Sequence, residues 1–174
     1  MRCSILARSG ALAIAAAVGL FGADAVRWGA AVDGLQLGIA IGSKPEPTLR
    51  VILKNVSASV QVVPMGFEEE PDPPYNMILT ARDARQHEIQ VFDTIAAKYK
   101  PSEDRGAARN LRLDPGAVRE FVYRLDQLIC VVHMTDISLD KLLPEGYTVR
   151  AAFGFRQRAV ASPDISFKAP KQPQ

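Results

Sequence analysis

The chain has few of the side chains that most often carry covalent or metal chemistry. It contains two cysteines and two histidines. Neither His87 nor His133 lies in a metal-ligand motif, and no G-x-S-x-G turn presents a nucleophilic serine. Cys130 precedes His133 by three residues, a spacing that on a strand places the two side chains on opposite faces. These absences argue against an enzyme, and we predict no cofactor and no metal site.

An excess of charge of one sign is also missing, and so is a second long apolar run. The formal net charge is +2, too small for the basic surface that binds nucleic acid or an anionic membrane. Beyond the first 25 or so residues, no apolar run approaches the roughly 20 residues that cross a bilayer as a helix. We therefore expect no nucleic-acid partner and no stable membrane insertion of the processed chain.

The N-terminal segment is typical of a secretory signal peptide. Two arginines and no acid precede an apolar run over residues 11–21 (ALAIAAAVGLF). Ala23-Asp24-Ala25 then matches the small-residue pattern that signal peptidase accepts. This pattern predicts a signal peptide over residues 1–25, cleavage before Val26, and a periplasmic or secreted protein. An uncleaved N-terminal anchor is the alternative interpretation.

Cleavage at this point leaves a single cysteine. Cys3 is removed with the signal peptide, so Cys130 has no partner for an intramolecular disulfide. Cys130 lies in the apolar run 128–132 (LICVV). This setting favours a buried, small hydrophobic side chain over a reactive thiol. The domain must then be stabilised by its core.

Apolar residues alternate with polar or small residues along much of the remaining chain, which indicates half-buried strands. No helical period is sustained, and turn residues separate the runs. We predict eight or nine short strands in an antiparallel sandwich or barrel, a long surface loop over 96–110, and a short helix over 138–143 with Ser138 as its cap. The strands are predicted over residues 35–41, 49–54, 60–63 (ended by Pro64), 75–81, 87–92, 118–125, 128–133, 147–153 and 165–167.

Several of these segments resemble immunoglobulin-like modules of exported bacterial proteins. Residues 49–57 (LRVILKNVS) resemble their second strand, which commonly ends in L-x-N-x-S, and residues 113–116 (LDPG) resemble their L-x-P-G turn. Residues 144–151 (PEGYTVRA) resemble a strand near the end of such folds. The resemblance implies an all-β fold, an immunoglobulin-like antiparallel β-sandwich over residues 26–168. The tail, 169–174, is expected to be disordered.

The same order of segments is also similar to that of the bacterial intracellular proteinase inhibitor family. That family likewise has an antiparallel sandwich with an N-x-S strand and a P-G turn. Because these motifs are strand and turn signatures, they indicate a fold better than a function. No inhibitory-loop motif transfers to this chain, and an exported protein differs from an intracellular inhibitor.

The candidate binding site is the loop 66–74 (GFEEEPDPP). Its prolines stiffen it, which lowers the entropy lost on docking, and aromatic residues flank it as possible interface anchors. Three consecutive glutamates followed by prolines do not have the glycine-containing spacing of a calcium loop. The expected protein-binding residues are Phe67, Glu68, Glu69, Glu70, Asp72 and Tyr75.

The sequence thus favours a non-enzymatic exported module that binds another protein or supports an envelope assembly, through this loop or through an open edge strand. A proteinase inhibitor of similar fold is one alternative. A periplasmic carrier of a metal or small ligand is another, with His133-Met134, Met65 and Met77 as conceivable copper ligands. Trp28 is expected to pack over one end of the sandwich and hold the N-terminus, with ligand stacking as the alternative.

Overall fold

The computed structural model of the chain describes residues 25–42, 46–67, 76–95 and 106–166. Strands dominate this part of the chain, and every strand pair is antiparallel. The prediction of an all-β antiparallel fold is therefore confirmed. The predicted signal peptide and tail lie outside the described residues, apart from Ala25 at the expected cleavage point.

The strands fall into a four-stranded sheet, a seven-stranded sheet and a two-stranded pair. Their orders are β1-β2-β3-β8 in the first, β10-β9-β6-β5-β11-β12 with β13 also on β11 in the second, and β4-β7 in the third. The strand bounds are β1 (Arg27–Trp28), β2 (Leu35–Gly42), β3 (Thr48–Asn55), β4 (Gln61–Phe67), β5 (Met77–Arg82), β6 (Glu88–Asp93), β7 (Ala108–Leu113), β8 (Val118–Arg124), β9 (Leu128–Val132), β10 (Thr135–Ser138), β11 (Thr148–Phe155), β12 (Arg158–Ala161) and β13 (Ile165–Ser166).

Helical structure in the described chain includes helix α1 (Leu139–Leu142) and 3₁₀ turns at Leu125–Gln127 and Leu143–Glu145. Residues 94 and 95, directly after β6, are also helical. Ser138 occupies the N-cap position of α1 as predicted, but its side chain makes no capping hydrogen bond. No helix in the described ranges has the length and apolar character needed to cross a membrane.

One hydrophobic core joins the sheets. Every second residue of β2 and β3 points into it, as in Leu37, Ile39 and Leu53, all fully buried. β2 packs against β11, β12 and β13 of the larger sheet. Phe153 on β11 is the largest fully buried side chain. The predicted alternation over residues 35–41 and 49–54 therefore identifies the core face correctly.

A buried asparagine fixes the turn that follows β3. Asn55 is 0% exposed, and its side-chain amide donates to the carbonyl oxygens of Ser59 (2.8 Å) and Leu113 (2.9 Å). Its side-chain oxygen accepts from the backbone N–H and the hydroxyl of Ser57. The N-x-S motif therefore has a structural role: the Asn55 side chain joins the end of β3 to the turn before β4 and to the end of β7. Its hydrogen bonds satisfy a buried polar group that would be costly to leave unpaired.

The structure corrects three details of the predicted strands. β4 continues through Pro64 to Phe67, because the register shifts between Pro64 and Phe67 and the strand belongs to a two-stranded pair, where a missing donor is tolerated. The predicted loop 96–110 is wrong at its end, where β7 begins at Ala108. The described residues contain thirteen strands instead of eight or nine, because β1, β7, β10 and β12 were not predicted.

Candidate protein-binding surface

An apolar row crosses the outer face of the seven-stranded sheet. Ala152 on β11 lies opposite Ile78 on β5, and Phe92 on β6 lies opposite Ile129 on β9. The β5–β6 register brings Ile78 beside Phe92. Val131 is two residues beyond Ile129 and therefore points to the same face. We call these five residues the apolar row.

Three members of the apolar row are exposed, whereas Ile129 and Ala152 are partly buried. The exposed fraction is 52% for Ile78, 41% for Phe92 and 48% for Val131. Their neighbours on the same strands, such as Leu79 and Val91, are buried on the core side. Isolated exposed apolar residues are ordinary, but neighbouring ones on three adjacent strands form a patch of the kind that marks an interaction site.

A network of charged side chains borders one side of the apolar row. Arg82 pairs with Glu88 across β5 and β6, and also with Asp164, at 3.1 Å. Arg150 on β11 reaches the same Glu88 carboxylate at 3.0 Å. The hydrogen bond from Arg82, together with the charges of Arg82 and Arg150, lowers the pKa of Glu88 below its ordinary value. An apolar centre beside a charged, solvated rim is the usual anatomy of a protein interface.

The hairpin between β9 and β10 adds an exposed methionine at the edge of this face. Val132 pairs with Thr135, so His133 and Met134 form a two-residue turn, with φ of 49° and 64°. Such turns favour Asn-Gly because both residues need positive φ. The Met134 side chain is 96% exposed. Backbone strain of this kind concentrates at functional sites, so the tip extends the candidate surface.

Most of the predicted binding loop lies outside the described residues. That applies to Glu68, Glu69, Glu70, Asp72 and Tyr75. Phe67 is described: it is half-buried at the end of β4, opposite Ala108.

The loop returns to the described chain beside the apolar row. It re-enters at Asn76, two residues before Ile78. The Asn76 side-chain amide donates to the carbonyl oxygens of Gly154, at 3.1 Å, and Pro64, at 3.4 Å. Asn76, two residues after the predicted loop, is therefore fixed next to the apolar row.

The thiol and imidazole groups do not assemble into a catalytic arrangement. Cys130 is 0% exposed on the core side of β9, and burial raises the pKa of its thiol to about 11. His133 is exposed in the turn beyond that strand. The His87 ring nitrogen Nδ1 lies 3.2 Å from an Asp83 carboxylate oxygen, within one exposed hairpin turn. Backbone hydrogen bonds, chiefly from His87, lower the pKa of Asp83.

The conceivable copper ligands are likewise separated by the fold. Met65 is buried and Met77 packs against the core, whereas His133 and Met134 lie in the exposed turn. The described residues contain no group of three or more His, Cys, Asp or Glu side chains that could hold a metal ion.

Two clefts in the described part of the chain are small. One, of about 170 Å³, is lined by Met65, Arg109, Asn110, Leu111 and Arg119. The other, of about 160 Å³, lies between Pro47, Leu125, Asp140 and Leu143. Ligand sites for drug-sized molecules usually enclose about 300–1,000 Å³. These clefts therefore favour a small-ligand carrier less than the exposed face favours a protein partner.

Sequence reasoning missed the apolar row. A usable signal was present: Ile78 and Leu79 are adjacent apolar residues in β5, and Val91 and Phe92 are adjacent in β6. Two neighbouring apolar residues on a strand point to opposite faces, so one must face away from a single core. The strand register is also needed to know that the outward-facing apolar residues of three strands lie next to one another, and the sequence does not give that register.

Comparison with known proteins yields no relative from which a function could be transferred. No family model matches the chain. Neither the curated proteins nor the solved structures include a significant match.

Proposed function

We propose that this chain is a non-enzymatic exported module with an immunoglobulin-like sandwich fold that binds another protein. The observation that carries the proposal is the apolar row: Ile78 and Phe92 remain about half exposed side by side on a well-formed sheet, and Val131 lies diagonally across from Phe92 on β9. Export rests on the signal-peptide pattern of residues 1–25. The sandwich arrangement is supported by two antiparallel sheets that share one core.

The apolar and charged residues of the surface indicate which kind of protein it would bind. Burial of Phe92 and its aliphatic neighbours provides the non-directional attraction, because apolar area removed from water stabilises a complex. The network of Arg82, Glu88 and Arg150 borders this area with both charge signs. The partner is therefore a protein with an exposed apolar patch and mixed charges around it.

The loop 66–74 contributes to the same surface in this proposal. It leads directly into β5, which carries Ile78. A stiff acidic loop beside an apolar sheet face would set the orientation of the partner, since charged rim residues act mainly on specificity and association rate.

The test is capture of partners from envelope and culture fractions by immobilised protein, with identification by mass spectrometry. A Phe92→Lys variant should lose the specific partner. A Val62→Lys variant is the matched control, because Val62 is 54% exposed on β4, in a different sheet. Both variants should keep wild-type melting temperatures, which excludes unfolding as the cause.

The other outcomes discriminate between sites and functions. A partner retained by Phe92→Lys but lost when Glu68, Glu69 and Glu70 are replaced by alanine would move the site to the loop. A partner lost equally by both lysine variants would contradict a specific site on the seven-stranded sheet. If no partner is captured, stoichiometric inhibition of a protease panel would support the inhibitor alternative instead.

A further inference from the structure

The long open edge of the four-stranded sheet is β8. In the described residues β8 pairs with β3 and with no other strand. It is seven residues long, whereas the edge strands of the larger sheet, β10 and β12, have four residues each. Exposed edges usually carry protecting features such as proline, lysine or a bulge. β8 contains no proline, lysine or bulge, and its charged residues, Arg119, Glu120 and Arg124, are of both signs: its sequence is VREFVYR, in continuous register with β3.

The hydrogen bonds at both ends of β8 show which backbone groups face the open side. Asn55 N–H donates to Ala117 O, and Leu125 N–H donates to Pro47 O. In an antiparallel pair, alternate residues direct their N–H and C=O groups to the same neighbour. The odd-numbered residues of β8 therefore bond to β3. The N–H and C=O groups of the even-numbered residues 118–124 are directed to the open edge.

The side chains of those even-numbered residues lie on the outer face and are exposed. Val118 is 56% exposed and Val122 is 61% exposed. Glu120 and Arg124 carry opposite charges, with side-chain exposed fractions of 37% and 46%. The order along the strand is therefore apolar, negative, apolar, positive.

This order is complementary to itself in one antiparallel register. A two-fold axis at Val122 places Val122 against its own copy and Glu120 against Arg124 of the second chain, twice. An axis at Phe121 would place Glu120 against Val122, and an axis at Glu120 would oppose two like charges. Directly opposed unlike charges stabilise a strand pair, and like charges destabilise it.

The charges already paired within one chain extend this pattern. Glu120 pairs with Arg50 on one side. Arg124 pairs with Glu46, at 2.9 Å, and with Asp126, at 2.8 Å. Joining Glu120 to Arg124 of a second chain therefore links the existing pairs into a row of alternating sign, Arg50, Glu120, Arg124 and then the two acids.

We propose that β8 pairs antiparallel with β8 of a second copy of this chain, about a two-fold axis at Val122. The pairing joins two four-stranded sheets into one continuous eight-stranded sheet. The β8 edge of each chain is then no longer open. It leaves the apolar row, on the other sheet, free for a different partner. The pairing does not depend on the proposed function.

The first test is sedimentation equilibrium of protein produced from the full-length chain. The wild type should shift from monomer to dimer as its concentration rises through the micromolar range. Glu120→Arg should oppose arginine to Arg124 at both symmetric contacts, and Arg124→Glu should oppose two acids at both. Each variant should weaken dimerisation about tenfold or more.

Mixing the two variants tests the register itself. In a heterodimer of Glu120→Arg with Arg124→Glu, each contact again joins unlike charges. The equimolar mixture should therefore form a one-to-one dimer, although each variant alone is monomeric. Circular dichroism confirms that each variant is folded. If either fails to fold, Val122→Lys replaces it, since a 61% exposed side chain tolerates lysine in the monomer but opposes two lysines at the axis.

The matched control is Val62→Lys, which makes the same change at a 54% exposed valine on β4, in neither large sheet, and should leave dimerisation unchanged. A wild type that remains monomeric throughout would overturn the proposal, and so would a dimer that survives Glu120→Arg. A mixture that stays monomeric would overturn the register. A monomer whose β8 amides gain hydrogen-exchange protection only with a different protein would assign the edge to that partner instead.

Discussion

The outer faces of the two large sheets differ in what covers them. On the four-stranded sheet, Gly38 lies beneath Trp28 and Val26: a Cβ atom added to Gly38 would come within 2.7 Å of both side chains. The Lys54 ammonium lies 5.6 Å from the centre of the Trp28 ring. On the seven-stranded sheet, Phe92 and its neighbours meet solvent. Val26 and Trp28 thus cover the outer face of β2 at Gly38, whereas Ile78, Phe92 and Val131 on the other sheet stay exposed.

The covering segment also joins the two sheets. Gly29 N–H donates to Leu37 O on β2, and the Arg27 guanidinium donates to Asp164 O beside β13. Trp28 therefore packs on an outer face of the four-stranded sheet, whereas the sequence predicted that it packs over one end of the sandwich. An apolar outer surface can thus be structural where the chain covers it and available for binding where it does not.

The largest expected effect is that of Gly29→Ala, which should displace Val26 and Trp28 from the outer face of β2. A Cβ atom at Gly29 would lie 1.9 Å from Ala161 O, a backbone atom that has little freedom to move. We expect a loss of about 3 kcal/mol in the free energy of unfolding in urea. The emission of Trp28, the single tryptophan of the chain, should shift to longer wavelength. Gly154→Ala is the control, because its nearest neighbour would be 4.0 Å away. Equal effects of the two changes would contradict the tight approach.

A smaller difference is expected between the stability losses caused by replacing two aromatic residues of nearly equal exposure. Trp28 is 39% exposed and Phe92 is 41% exposed. Trp28→Ala should cost about 2 kcal/mol, because it uncovers Gly38 and removes the contact with Lys54. Phe92→Ala should cost less than about 1 kcal/mol, because that face is already solvated. Chemical denaturation followed by circular dichroism measures both. If the two losses are equal, the distinction between a covered and a bare face fails.

The smallest effect concerns the ion pairs that border the bare face. The pKa of Glu88 is lowered mainly by the hydrogen bond from Arg82, so its contribution to stability is present above the ordinary carboxyl pKa of about 4.3 and is lost as the pH falls. Glu88→Gln should therefore lower the melting temperature slightly at pH 7. The difference from wild type should shrink as the pH falls below the ordinary carboxyl pKa and vanish once Glu88 is protonated in the folded state. Calorimetry across this range, with exposed Glu145→Gln as control, checks it. A difference that grows on acidification would contradict the sign.

The sequence predicted the strands that build the core and missed most of those at the edges. In β2 and β3, the buried positions must be apolar, so leucine, isoleucine and valine recur at every second residue and the strands can be recognised from the sequence. β10 and β12 follow two-residue turns made by His133-Met134 and Arg156-Gln157, all four residues with positive φ. Neither turn contains the glycine or asparagine that normally indicates such a hairpin.

The candidate surface was harder to predict than the core for a related reason. The predicted site was easy to notice because Glu68, Glu69 and Glu70 are consecutive in the sequence. The members of the apolar row, in contrast, come from four different strands. Its members become neighbours only through the pairings of β5 with β6 and β11, and of β6 with β9. Long-range register follows from the packing of the whole domain, which local patterns do not encode.

The position of Cys130 has a consequence for how the protein can be made. In the folded state its thiol is enclosed by the core and, with a pKa of about 11, carries almost no thiolate at neutral pH. An oxidant can therefore modify this cysteine only before the chain has folded. The rate of folding then decides whether the thiol survives, and a preparation with an oxidised Cys130 would report delayed folding rather than damage to the native protein.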